Sequence, residues 1–169
     1  MSFIGIMSED RLSFEKILET VIQKTNTNNE FIILDENNIE NMKNVKFETI
    51  VALDNVFRLK DKLPILEKIL KNAKYLIINS DIKDNLEILG NLDLTVITCG
   101  FNSKATISVS STEYSEKNMV LCIQRAIKDI KGKVIEPQEI KIEVKKMDIY
   151  HIIGLLTVSL IYRINLHFM

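Results

Sequence analysis

Five short apolar runs in the first two thirds of the sequence constrain the fold more than any other feature. Each is apolar almost throughout rather than alternating, as strands are when helices cover both faces of a parallel sheet. Segments with helical periodicity separate several of them, at residues 13–22, 63–70 and 84–89. The pattern predicts an α/β fold, a mainly parallel sheet with helices on both faces in a P-loop-like or Rossmann-like three-layer arrangement. The five predicted strands cover residues 3–6, 31–34, 47–53, 75–78 and 94–98.

The pattern changes after residue 104. Residues 105–110 and 139–144 alternate between apolar and polar, which is typical of half-exposed antiparallel strands. Residues 119–130 fit either a helix or an exposed strand, and periodicity alone does not decide between them. Residues 148–163 are apolar on all sides, which predicts a buried helix. We therefore expect one domain over residues 1–169, with a parallel α/β core over 1–104 and an antiparallel extension and closing helix over 105–169.

Charge and cysteine content exclude several classes of protein. The 169 residues include 22 basic and 23 acidic side chains, a net charge of −1, with no concentrated basic segment of the kind that binds nucleic acid. Cys99 and Cys122 belong to no metal-binding motif and are expected to be reduced and buried. The apolar segment 152–162 is too short to span a bilayer, and residues 1–7 lack a signal-peptide pattern. We expect a cytoplasmic protein with no membrane span, no metal and no cofactor.

Three short segments carry a resemblance to a known family. Residues 72–81 (NAKYLIINSD) look like a strand leading into an Asn-Ala-Asp-Asp turn, and residues 96–101 (VITCGF) look like a strand ending in Thr-Tyr-Gly. Residues 149–152 (IYHI) look like a helix that starts with His-Asn. In this order, the segments make the chain similar to the central, ATP-binding domain of the Mur ligases, the enzymes that add amino acids to peptidoglycan. The resemblance implies flanking domains that this sequence does not include, hence a truncated relative.

The family's phosphate-binding loop would fall on residues 5–13, where only Gly5 and Ser13 match its pattern. Ser8 and Arg11 replace glycines whose bare backbone would wrap a phosphate. Leu12 replaces the lysine that would contact the β- and γ-phosphates. Two acidic side chains add negative charge to the same loop. We therefore expect no ATP-driven ligation, no catalytic residues and a degenerate, non-catalytic relative.

Several polar residues remain candidates for binding a ligand. Those following the predicted strands, including Asp54 and Asn55, have the oxygen ligands that Mg²⁺ prefers, but Asn and Asp also form turns without any ligand. A serine before a helix is explained by capping, and a histidine at the head of an apolar helix is more often structural. The candidate ligand-binding residues are Gly5, Ser8, Arg11, Ser13, Asn79, Asp81 and His151.

The leading functional hypothesis is a non-catalytic Mur-ligase-like domain that acts by binding a protein partner or by self-association, for instance as a dimer. The resemblance alone implies a bacterial, cell-envelope or peptidoglycan-related context. The alternative hypothesis is a small-ligand or nucleotide-binding protein that uses the strand ends at Asn79, Asp81 and Gly100. A third hypothesis is a regulatory subunit that completes a full-length ligase in trans.

Overall fold

The computed structural model describes residues 2–8, 29–90, 92–113, 118–143 and 148–164. The chain divides into two compact units, Met1–Val96 and Ile97–Met169, and the boundary falls inside a strand. The boundary expected from sequence, after residue 104, lies further along the chain. The predicted single domain over residues 1–169 stays a prediction.

The first unit contains four parallel strands, β1 (Ser2–Met7), β2 (Asn29–Ile33), β3 (Phe47–Ala52) and β4 (Tyr75–Asn79). They lie in the order β2-β1-β3-β4, so β1 pairs with β2 on one side and with β3 on the other. Because the connections on the two sides of β1 run in opposite directions, the sheet has a topological switch point between β1 and β3. The predicted α/β class and parallel pairing are confirmed.

Both faces of β1, β3 and β4 are buried along most of their length, which explains why their sequences do not alternate, whereas β2 at the edge of the sheet is half-buried. On β3, Ile50 and Val51 point to opposite faces and are both fully buried, and Leu76 and Ile77 do the same on β4. On one face the strands pack in a cluster with the helix α1 (Leu63–Leu70). That helix has the bounds predicted from its apolar spacing.

Two 3₁₀ helices flank this part of the unit. The first, Val56–Lys62, precedes α1 directly and was not predicted. The second, Lys83–Leu89, occupies the position of the predicted short helix and ends at Gly90, whose φ of 26° favours glycine. The helix predicted over residues 13–22 lies outside the described residues.

The second unit is largely antiparallel. Strand β5 (Thr95–Gly100) pairs in parallel with β6 (Ile107–Glu113), which is antiparallel to β7 (Asn118–Ile123). Strand β7 is also antiparallel to β10 (Gln138–Glu143), and the short strands β8 (Ile127–Lys128) and β9 (Val134–Ile135) form a separate hairpin. The antiparallel extension predicted for the C-terminal third is confirmed.

The ambiguous segment 119–130 is a strand followed by a hairpin strand, not a helix. Leu121 and Ile123 are fully buried, whereas Val120 and Cys122 between them are half-buried. Pairing to strands on both sides selects the extended conformation, which local periodicity could not do. The expectation that both cysteines are buried is therefore wrong for Cys122, which points to the more exposed face of the sheet.

The C-terminal helix α2 (Ile149–Tyr162) is buried on all sides over residues 151–159, as predicted. Asp148 caps its first turn by accepting hydrogen bonds from two backbone amides. The buried hydroxyls of Thr157 and Ser159 donate to carbonyls one turn earlier, at 2.7 Å each, so the apolar surroundings leave neither of them unsatisfied. Within the described residues, no helix has the length and hydropathy to cross a membrane.

Candidate functional site

A cavity of about 290 Å³ opens in the first unit at the carboxyl ends of β1, β2 and β3. Among the described residues, its apolar wall consists of Met7, Ile33, Leu34 and Leu59. Its polar wall consists of Ser8, Asp35, Glu36, Asp54, Asn55 and Arg58. Open α/β sheets bind ligands in the crevice beyond the carboxyl ends of their strands at the switch point, and this cavity occupies that place.

The loops that form the polar wall are held by their own side chains. The Asp35 carboxylate accepts hydrogen bonds from the amides of Asn37 and Asn38, at 2.8 and 3.0 Å. The Asn38 side chain donates to the Ile33 carbonyl at 2.6 Å, which ties the turn back to the end of β2. Asn55 caps the first 3₁₀ helix by accepting from the Phe57 amide at 2.9 Å. These bonds order the two loops that supply most of the described polar wall.

The described lining of the cavity is acidic. The ionisable side chains among its described lining residues are three carboxylates and the guanidinium of Arg58, a net charge of −2. A net negative charge on these described residues is more favourable to a neutral or cationic molecule than to a polyphosphate.

Asn79 lies at the end of β4 and is buried, but it does not line the cavity. Its amide nitrogen donates to the Leu53 carbonyl at 3.0 Å, and its amide oxygen accepts from the Asp81 backbone at 3.0 Å. Asn79 therefore joins the loop after β3 to the loop after β4, which is the turn-forming alternative that the sequence left open.

Sequence reasoning missed Asn85, which is fully buried in the second 3₁₀ helix. Its side chain accepts from the Val56 amide at 2.9 Å and donates to the carbonyls of Asp54 and Asn79, at 3.0 and 3.3 Å. These bonds fix the loop that supplies Asp54 to the cavity wall. The signal was an asparagine one turn before Ile88, on the apolar side of the predicted helix 84–89.

Gly5 is a packing residue within β1, not part of a loop. A Cβ atom at this position would lie 2.6 Å from Ile50 Cδ1 and 2.9 Å from Leu34 Cδ1, so core side chains already fill that space. Close packing in the core therefore accounts for the glycine at this position, which matches the first glycine of the phosphate-binding loop in sequence. Ser8 does line the cavity, while Arg11 and Ser13 lie outside the described residues.

The remaining candidates lie in other places. His151 belongs to the second unit, where it is 5% exposed at the head of α2 with its Nδ1 4.0 Å from an Asp148 carboxylate oxygen. Gly100 is buried and is the last residue of β5, which runs two residues beyond its predicted end. In the described part of the chain, no group of three histidine, cysteine, aspartate or glutamate side chains is arranged to hold a metal ion.

In comparisons with known proteins, no protein-family model matches the chain, and no curated protein matches it.

Proposed function

We propose that this protein is a non-catalytic binding protein that holds a small polar ligand, neutral or cationic, in the cavity between β1 and β3. The observation that carries the proposal is the position of the cavity at the switch point of a parallel sheet, with walls formed by three successive strand ends. The volume of about 290 Å³ suits a ligand the size of an amino acid, a sugar or a short polyamine.

The relation to the Mur ligases is part of this proposal. What supports it is the resemblance of residues 72–81, 96–101 and 149–152 to segments of that family, together with the mainly parallel α/β sheet. In this proposal the site after β1 keeps its place in the fold but has exchanged a triphosphate for a ligand that tolerates carboxylates. A cytoplasmic location and a cell-envelope role are predictions that go with it.

The direct test is a thermal-shift screen followed by calorimetric titration of any hit. The panel consists of ATP with Mg²⁺, a UDP-sugar, glucose as a neutral sugar, and arginine and spermidine as cations. A ligand present at 100 times its dissociation constant raises the free energy of unfolding by about 2.7 kcal/mol. We expect stabilisation by at least one neutral or cationic member and none by the two nucleotides. Stabilisation by ATP alone, or by no member of the panel, would overturn the proposal.

A charge reversal on the cavity wall identifies where the hit binds. Glu36 is exposed on the loop after β2, so Glu36→Lys leaves the core intact. For a cationic ligand at about 4 Å, reversing one charge changes the affinity by about tenfold or more. The matched control is Glu87→Lys, an exposed site on the second 3₁₀ helix that does not line the cavity. Equal effects of the two variants would place the ligand elsewhere.

A further inference from the structure

Strand β10 is the edge of the sheet in the second unit. Among the described strands it pairs with β7 alone, over all six of its residues. The backbone groups on its other side therefore have no strand beside them in the described chain. An edge of this kind is a template for adding another strand, and proteins usually protect it with charges, above all with lysine.

The charges on β10 do not protect it against a copy of itself. Glu139, Lys141 and Glu143 are all exposed and alternate in sign along one face of the strand. In an antiparallel pair of two copies centred on Ile140, Glu139 of each copy lies opposite Lys141 of the other. The strand is thus complementary in charge to its own reversed copy, and directly opposed ions of unlike sign stabilise a cross-strand pair.

The other face of β10 supplies apolar surface to the same contact. Ile140 is half-buried and borders a groove of about 730 Å³ between β10 and the C-terminal half of α2. Leu160 on α2 is also half-buried, and Val134 on β9 is 43% exposed at the same groove. Antiparallel pairing centred on Ile140 brings the two isoleucines face to face and sets the grooves of the two copies side by side.

We propose that a second copy of this chain binds along β10, so that two protomers form a two-fold symmetric dimer through antiparallel pairing of this strand. Such an interface is isologous, since the same residues of each copy contact one another in reverse order. The proposal does not depend on the ligand cavity, which lies in the other unit.

Sedimentation velocity over a concentration series tests the dimer. The wild-type chain should show a concentration-dependent shift from monomer to dimer. Lys141→Glu places like charges opposite each other twice per dimer, so we expect the dissociation constant to rise about tenfold or more. The matched control is Lys128→Glu, an exposed lysine on β8 that lies outside the pairing, and it should dimerise like the wild type.

Charge swapping tests the register and shows that each variant is folded. Glu139→Lys and Lys141→Glu should each weaken self-association, whereas an equal mixture of the two should form a heterodimer, because every cross-strand pair is then of unlike sign. The double variant with both changes should dimerise like the wild type. A wild-type chain that stays monomeric to about 0.5 mM overturns the proposal. At that concentration, a specific strand pairing should give more binding free energy than is lost when two chains associate. A dimer that ignores both single changes, or a mixture that stays monomeric, also overturns it.

Discussion

The Arg163 guanidinium donates a hydrogen bond to the carboxylate of Asp129, a side chain that is only 1% exposed. The other carboxylate oxygen of Asp129 accepts from the backbone amides of Lys131 and Lys133, at 2.9 and 2.8 Å. These bonds close the turn of the β8–β9 hairpin and join it to the end of α2. Arg163 itself has φ of 55°, a left-handed conformation that costs a residue other than glycine about 1–2 kcal/mol. The ion pair explains why an arginine occupies this position.

Replacing Asp129 with asparagine should lower the stability in a pH-dependent way. Burial raises the pKa of Asp129, but hydrogen bonds from Arg163 and from the backbone of Lys133 and Lys131 outweigh it, so the pKa lies below its ordinary value. A carboxyl whose pKa is lower in the folded than in the unfolded state stabilises the fold. This stabilisation is fully present at pH values above the unfolded-state pKa of about 3.9, and it is lost as the pH falls through the folded-state pKa. We therefore expect Asp129→Asn to unfold at a lower urea concentration than the wild type at pH 7.

The difference in urea midpoint between wild type and Asp129→Asn should narrow as the pH falls below about 4. Asp93→Asn, at an exposed carboxyl in the loop before β5, is the control and should change neither the midpoint nor its pH dependence appreciably. A difference that stays constant down to the lowest pH at which the protein folds would show that packing, not the charge, accounts for the loss.

Adding a side chain at Gly5 should destabilise the first unit because the space is already filled. Overpacking a core site typically lowers the free energy of unfolding by about 1–3 kcal/mol. We expect a loss in that range for Gly5→Val and a smaller loss for Gly5→Ala. Ile50→Val removes the Cδ1 atom that lies 2.6 Å from the added Cβ. The double change Gly5→Ala with Ile50→Val should therefore lose less free energy than the two single losses combined. Urea denaturation of the four proteins measures this coupling, and strict additivity would contradict the packing role of Gly5.

Replacing Lys60 with glycine should stabilise the protein. Lys60 interrupts the first 3₁₀ helix with φ of 44° and ψ of −113°, and its side chain is exposed. Glycine adopts positive φ without the steric cost, so we expect a gain of about 1 kcal/mol in the free energy of unfolding. Lys68→Gly, on the exposed side of α1, should instead lose about 1 kcal/mol. Two variants that change stability in the same direction would contradict the assigned strain.

The two thiols should differ in reactivity. Burial raises the pKa of Cys99 to about 12, although a hydrogen bond with Thr157 acts in the opposite direction. Because the thiolate is the reactive species, Cys99 should resist Ellman's reagent at pH 8 until the protein unfolds. Cys122 is half-buried on the more exposed face of β7 and should react in the native state. In the native protein, Cys122→Ser should therefore abolish the rapid reaction with Ellman's reagent, and Cys99→Ser should leave that reaction intact. The reverse pattern would contradict the burial of Cys99.

The elements of the fold follow from local sequence where the pattern is long and unambiguous. The apolar runs at β1 to β4, the spacing of α1 and the uniformly apolar α2 each identified their element. The predictions from sequence were wrong or undecided where contacts between distant parts of the chain determine the local structure. Strand β5 continues through Cys99 and Gly100 although the sequence predicted its end at residue 98, and the strand at β7 needed partners on both sides to be distinguished from a helix.

The cavity was far less accessible to sequence reasoning than the strands were. Of the seven candidate ligand residues, Ser8 lies in its wall, and none of the three acidic residues of the wall is among the seven. Strand propensity and periodicity act between residues close in the chain, so the residues alone sufficed for the α/β class and for most element positions. The order β2-β1-β3-β4 results from pairing between distant segments, and that order brings Ser8, Asp35 and Asp54 to one crevice. For the same reason Gly5 is a packing residue and Asn79 a link between loops, since their roles depend on neighbours that are remote in the chain.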